Sequence, residues 1–254
     1  MHGFTNKVAL ITGGSRGLGR NTAITLARNG ADLILTYRTQ QQEGETVVAD
    51  IQSLGRKAVL LPLDVGDVSQ FTRFHDDVAQ SLQSTWQRDN FDFLINNAGI
   101  DRMSPFAETT EEAFDSLVNV HLKGVYFLTQ KLLPLIADGG RIVNTSSGLA
   151  RFAIPGYSAY GAMKGAIEVL TRYLAKELGP RRITANTVAP GAIETDFTRS
   201  AFDHPGVKDF LASQTALGRV GVPDDISGVI AFLCSEEGRW VNAQRLEASG
   251  GMFV

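Results

Sequence analysis

The chain has 254 residues, 43% of them hydrophobic and 20% charged, with 14 Phe, 5 Tyr and 2 Trp. That composition excludes a disordered chain and leaves one large domain or two small ones. With 24 basic against 27 acidic residues the net charge is -3, so there is no broad positive field for a phosphate backbone, and no nucleic-acid partner is expected. The single Cys234 has no disulfide partner and no metal-ligand pair beside it. With no signal-peptide pattern and no apolar run near the ~18 residues of a membrane span, the expectation is a cytoplasmic protein without metal or membrane contact.

In chain order, residues 7–12, 32–37, 57–62, 91–96, 140–146, 183–189 and 244–248 are short, near-continuous apolar runs, as strands buried on both faces should be. Between them, residues 18–29, 40–54, 68–87, 111–137, 159–178 and 223–234 carry helical spacing. The alternation predicts a doubly wound α/β fold, a Rossmann-like parallel sheet with right-handed crossovers and helices on both faces. No linker or repeat interrupts it, so residues 1–254 read as one domain. The irregular stretch 191–214 within that domain reads as a lid over a binding cleft.

The first run leads into Thr12-Gly13-Gly14-Ser15-Arg16-Gly17-Leu18-Gly19 and then a helix. Glycines there permit a tight turn and let backbone N–H groups approach a pyrophosphate, which the helix dipole favours. An ordinary glycine-rich turn is the plain alternative. The spacing is Thr-Gly-x-x-x-Gly-x-Gly rather than Gly-x-Gly-x-x-Gly. After the fourth run comes Asn96-Asn97-Ala98-Gly99, and after the fifth Ser146-Ser147 and Tyr160-Gly161-Ala162-Met163-Lys164. After the sixth, Pro190-Gly191 continues through Ile193 to Thr195. With these motifs in order over essentially its whole length, the sequence resembles the short-chain dehydrogenase/reductase family.

The resemblance implies hydride transfer between a nicotinamide cofactor and a carbonyl. Reduction of a ketone leaves an alkoxide that must be protonated, so an acid is required. Tyr160 can supply the proton, and Lys164, one helical turn on, places a positive charge on the same face and favours the tyrosinate. Taken singly, Tyr160 reads as a half-buried core phenol and Lys164 as a solvated charge. Neighbouring Ser146 and Ser147 point opposite ways at a strand end, so only one faces the substrate. In the family the catalytic serine stands 13 positions before the tyrosine, which selects Ser147. The resemblance further implies that Lys164 reaches the nicotinamide ribose. It also assigns cofactor contacts to Gly13, Ser15, Arg16, Gly17, Leu18, Gly19, Asn97, Ala98, Gly99, Pro190, Gly191, Ile193 and Thr195, with Asp64 and Val65 at the adenine.

One departure stands out. Many members carry Asn in Asn-Leu-x-Gly, where it organises a relay water, whereas this chain has His121-Leu122-Lys123-Gly124. Asn119, about 200° away on an ideal helix, points elsewhere. His121 is therefore a fourth catalytic candidate, able to hold a water as neutral imidazole and to titrate near working pH. The alternative is a packed helix-face histidine.

The second run ends Thr36-Tyr37-Arg38, with no acid to receive the adenosine ribose. Arg16 and Arg38 suit a 2′-phosphate through bidentate bonds, which predicts NADPH over NADH unless both are ordinary surface arginines. Residues 100–103, 149–154, Tyr157 and the lid near 192–202 are expected around the reacting carbonyl, and Leu149, Phe152, Ile154, Tyr157 and Phe197 among them favour a hydrophobic or aromatic ketone. Arg102 and Arg151 are surface charges or, failing that, partners of an acidic substrate group. The expected function is NADPH-dependent interconversion of a ketone and a secondary alcohol. The alternatives are reduction of a carrier-bound 3-oxoacyl thioester, for which no basic docking cluster is obvious, and a non-catalytic dinucleotide-binding sensor.

Ala162, Ala166, Ile167, Leu170, Leu174 and Leu178, with Val125, Phe127, Leu128, Leu132 and Leu135 of the preceding helix, exceed one buried stripe. The chain also ends on Met252-Phe253-Val254, an apolar end costly to leave in water. Together with the resemblance, these predict a symmetric homo-oligomer, a tetramer.

Overall fold

The computed structural model describes residues 3–254. Within them all seven expected strands form: β1 (Val8–Ile11), β2 (Asp32–Tyr37), β3 (Ala58–Pro62), β4 (Phe91–Asn96), β5 (Ile136–Thr145), β6 (Thr184–Pro190) and β7 (Arg245–Ala248). They pair in parallel in the order β3-β2-β1-β4-β5-β6-β7. The winding reverses between β1 and β4, which opens a crevice at their carboxyl ends, the place where such sheets bind ligands.

The helices are α1 (Gly17–Arg28), α2 (Gln41–Ser53), α3 (Phe71–Ser81), α4 (Glu111–Val118), α5 (Gly124–Leu132), α6 (Ser158–Glu177), α7 (Arg199–Phe202), α8 (Val207–Ser213) and α9 (Asp224–Cys234). Two cores sandwich the sheet, and the twofold period of a strand assigns residues to them. Ala9, Ile11, Leu33, Leu35, Phe93 and Ile95 point into the core with α1 and α9. Val8, Leu10, Ile34 and Leu94, their immediate neighbours, point into the core with α3 and α5. Both faces are covered, which is why the strands lack polar alternation.

Three elements differ from the expected pattern. The helix expected over 111–137 stops at Leu132, where Leu133–Leu135 tighten into a 3-10 turn around Pro134, and β5 begins at Ile136; proline in a helix interior removes a donor and clashes with the preceding turn. Inside the same stretch, Asn119–Lys123 form a π-turn joining α4 to α5. The stretch 191–214 is not structureless, because α7 and α8 lie within it.

The apolar surplus is also distributed differently. Ile167, Leu178, Leu128, Leu132 and Leu135 are buried within their own chain, whereas Phe114, Tyr126, Phe127, Val169 and Tyr173 of α4, α5 and α6 are exposed. The C-terminal end packs onto its own chain up to Phe253. Met252 is buried, Phe253 lies against Phe152 with ring centroids 4.7 Å apart, and only Val254 is fully in water.

Candidate active site

Side chains that bridge the carboxyl ends of β1, β2 and β4 build the floor of the crevice. Thr12 Oγ1 accepts from the backbone N–H groups of Asn97 and Ala98, each at 3.0 Å. Asn97 Nδ2 donates back to the carbonyls of Thr12 and Gly13 at 3.0 and 3.2 Å, and the Gly13 N–H donates to Thr36 Oγ1 at 3.1 Å. Gly13 has φ +66°, and a Cβ there would lie 3.1 Å from Ala98 Cα, so both conformation and space call for glycine. Gly19 differs from its expected role. A Cβ at this position would stand 2.1 Å from the Gly13 carbonyl oxygen; its absence lets α1 pack on the loop, and Gly19 itself does not line the cleft.

The cleft above this floor encloses about 930 Å³. Into it open Gly13, Ser15, Arg16, Gly17 and Leu18 of the first turn, Arg38 beyond β2, and Asp64 and Val65 beyond β3. Asn97, Ala98 and Gly99 follow β4, and Pro190, Gly191, Ile193 and Thr195 follow from β6. The first turn of α1 has no side-chain cap and no acidic residue, so its N–H groups and dipole remain available to an anion. Arg16 and Arg38 are exposed, and neither makes an ion pair with another described residue. A dinucleotide phosphate therefore fits this turn, and an additional phosphate fits the two free guanidinium groups.

Ser147, Tyr160, Lys164 and His121 line the other half of the same cleft. Tyr160 and Lys164 share one face of α6, with Lys164 Nζ 5.4 Å from the Tyr160 ring centroid and donating to the Thr145 carbonyl at 2.8 Å. Ser147 Oγ accepts from the Leu149 N–H at 3.2 Å, which leaves its own proton to donate. Ser146 instead turns inward, its Oγ donating to Glu168 Oε1 at 2.7 Å. Burial pushes the Tyr160 phenol above its ordinary range, with Asp101 adding to the rise and a hydrogen bond from Ser147 opposing it. The Lys164 ammonium is lowered to about 7 by burial. Thus in the protein by itself burial outweighs the expected pull of Lys164 toward tyrosinate.

His121 is 1% exposed. Its Nε2 lies 2.8 Å from the Ile100 carbonyl oxygen and 3.2 Å from the Ile100 nitrogen. As donor across the shorter contact it leaves Nδ1 as an acceptor, and Nδ1 is buried with no partner. Burial and the neighbouring Lys164 charge lower its pKa to about 3. His121 therefore does not titrate near neutral pH, contrary to expectation; the imidazole stays neutral because charging it would require a desolvated cation beside another.

The expected substrate wall is present, with Ile100, Leu149, Phe152, Ile154, Tyr157 and Phe197 all facing the cleft. Arg102 is exposed at its rim. Arg151 is neither free nor in the cleft, since it pairs with Glu247 through Nε and Nη2 at 2.8 and 2.7 Å and also holds the Met252 carbonyl. Asp101, within the expected span 100–103, also lines the cleft. Sequence reading missed Thr36, which gives no signal in a β-strand.

A family model described as enoyl-(acyl carrier protein) reductase matches residues 13–253. A tetrahydroxynaphthalene reductase from Pestalotiopsis fici is 37% identical, over 98% of this chain and 92% of its own length. Among solved structures, an angucycline C-6 ketoreductase with bound NADP superposes with TM-score 0.94 at 36% identity, covering 98% of this chain and 96% of its own. A short-chain dehydrogenase from Burkholderia cenocepacia in complex with NADP gives TM-score 0.89 at 37% identity, with 98% of each chain covered.

Proposed function

The chain belongs to the short-chain dehydrogenase/reductase family, and from that premise we propose that it is an NADP-dependent oxidoreductase interconverting a ketone and a secondary alcohol. The observation that carries this reading is the convergence of Ser147, Tyr160 and Lys164 in one cleft with the uncapped first turn of α1, Arg16 and Arg38. NADPH, when bound, supplies the hydride. Arg16 and Arg38 would hold its 2′-phosphate, the N–H groups of the Gly13 to Leu18 turn its pyrophosphate, and Asp64 and Val65 its adenine.

The side chains divide the remaining work. Ser147 Oγ–H donates to the carbonyl oxygen and polarises it. Tyr160, kept protonated by burial, gives its hydroxyl proton to the same oxygen as charge develops there. Lys164 Nζ would reach the nicotinamide ribose and restore the Tyr160 proton, and His121 Nδ1 would accept from a water that feeds Lys164. The segment 191–214, with Phe197 6.5 Å from Tyr160 between ring centroids, closes over the substrate and excludes bulk water. We assign the protein to the cytoplasm as a homotetramer, a single domain per chain, joined through the exposed apolar residues of α4, α5 and α6. Among the described residues no helix is long and apolar enough to cross a membrane.

The test is NADPH consumption over a panel of apolar ketones, beside Tyr160→Phe. Loss of the acid should lower kcat by about 100-fold or more while NADPH binding, followed by fluorescence titration, is kept. Turnover unchanged in Tyr160→Phe overturns the assignment.

A further inference from the structure

Beside Ser147 charges alternate along a row of four side chains: Glu168 of α6, Arg245 and Glu247 of β7, and Arg151 of the loop after β5. None of the four lines the cleft. Arg245 is the centre of the row. Its Nε donates to Glu168 Oε1 at 2.6 Å, its Nη1 to Glu247 Oε2 at 2.7 Å and its Nη2 to the Ser147 carbonyl oxygen at 3.3 Å. Glu168 Oε1 also accepts from Ser146 Oγ at 2.7 Å, and that hydroxyl lies 3.3 Å from the Lys164 carbonyl oxygen. The Arg245 and Glu168 side chains are 22% and 15% exposed, so water and salt screen this pair less than a surface pair.

Ser147 needs such support because it stands where the chain leaves the sheet. The Ser146 N–H still bonds to the Val188 carbonyl of β6 at 2.7 Å. The Ser147 carbonyl has left the ladder and accepts instead from the Ala150 N–H of its own turn, at 3.2 Å, and from Arg245. Tyr160, Lys164 and Glu168 recur every fourth residue along α6, so the proton donor and the carboxylate that grips Ser146 belong to one face of one helix. A guanidinium carries its donors in one rigid plane and can join three partners in fixed relative positions, which an ammonium cannot.

We infer that Arg245 and Glu168 are positioning residues for the reaction: by holding the Ser147 carbonyl and the Ser146 hydroxyl between β7 and α6, they fix the Ser147 hydroxyl relative to that of Tyr160. The inference rests on the ketone-reductase reading of the same cleft. A reacting carbonyl oxygen must reach both hydroxyls at once, so a displacement of ~1 Å between them costs turnover more than binding. Neither Arg245 nor Glu168 touches the substrate. Glu247 anchors the far side of Arg245, and Arg151 in turn holds Glu247 with two hydrogen bonds.

The experiment measures kcat and KM for a reduced ketone, and the NADPH dissociation constant, in Arg245→Met and in Arg245→Met/Glu168→Leu. The double variant removes the pair without leaving an unpaired carboxylate, should the single variant fail to fold. Both should lower kcat about 10- to 100-fold with KM and NADPH binding near wild type. Arg245→Lys should recover only part of the loss, because it cannot span three partners. In a Ser147→Ala background Arg245→Met should have little further effect on kcat, since a residue that acts through Ser147 has nothing left to position. An unchanged kcat, or an equal loss with and without the Ser147 hydroxyl, overturns the inference. Hydrogen exchange followed by mass spectrometry needs no turnover. The amides of residues 149–152 bond within the turn that Ser147 begins; they should exchange about tenfold faster in Arg245→Met, with those of α1 unchanged. Equal exchange at 149–152 overturns the inference, whereas faster exchange there in a protein whose wild type reduces no ketone refutes the reductase reading alone.

Discussion

His121 stands edge-on to Tyr160, with ring centroids 5.1 Å apart and planes at 82°, while its Nε2 contacts the Ile100 carbonyl oxygen at 2.8 Å. One buried imidazole thus braces both the proton donor and the loop that forms the substrate wall. The π-turn at Asn119–Lys123 carries His121 into this position, and a Cβ on Gly99 would lie 2.8 Å from its Cε1. Removing the ring breaks two supports at once. His121→Ala should therefore lose about 1–3 kcal/mol of stability in chemical denaturation, the cost of an unsatisfied buried polar group, and should lower kcat as well. Because the imidazole, with a pKa near 3, is neutral throughout the working range, His121→Asn should leave every limb of the pH–rate profile in place. A limb that disappears with the ring would show that it titrates.

Lys164 gives a signed prediction for stability. Burial lowers its folded pKa from 10.5 to about 7, so between those values the unfolded chain binds more protons than the folded one, and stability contributed at this position rises with pH across that window. Below about 7 both states are protonated, and the burial cost is present in full. Lys164→Met should therefore be most stabilising, relative to wild type, near pH 6.5 and progressively less so toward ~9.5. Urea denaturation at both pH values measures it, and a gain that grows with pH contradicts the buried ammonium.

Arg38 lies exposed at the end of β2 and lines the cleft. One charge-assisted contact is worth about 1.5–3 kcal/mol, so Arg38→Ala should weaken NADPH about tenfold to a hundredfold and leave NADH nearly unchanged. Dissociation constants for both cofactors decide it; equal losses would mean that the guanidinium does not meet the 2′-phosphate.

Tyr173 is 63% exposed on α6 and Tyr126 46% exposed on α5, an apolar surface that a monomer would leave in water. Light scattering coupled to size exclusion should give a mass several times the 27.4 kDa of one chain. Tyr173→Glu should shift it downward, since a charge at the centre of a closed interface is costly. A wild-type mass of one chain refutes the assembly.

What could be read without coordinates is what spacing along the chain controls. A run apolar at every position is the mark of a strand covered on both faces, and Leu33, Ile34 and Leu35 do alternate between the two cores. Residues 160 and 164 are one helical turn apart in any helix, so their common face was legible; a strand end says only that Ser146 and Ser147 face opposite ways, and it was the spacing of the family resemblance that singled out Ser147. The glycine-rich turn was legible because φ +66° at Gly13 suits few other residues.

Tertiary structure alone decided the environments of those same groups. Whether His121 carries charge depends on water excluded by α6 and by the loop after β4, whether Arg151 is free depends on Glu247, 96 positions away, and the use of Gly19 depends on its distance from the Gly13 carbonyl. The missing donor at Asp101 Oδ1 likewise exists only once distant segments close around it. Periodicity and turn chemistry are set by near neighbours in sequence, whereas desolvation and partner choice depend on which remote elements come to share a volume, and they set the protonation states through which Tyr160, Lys164 and His121 act.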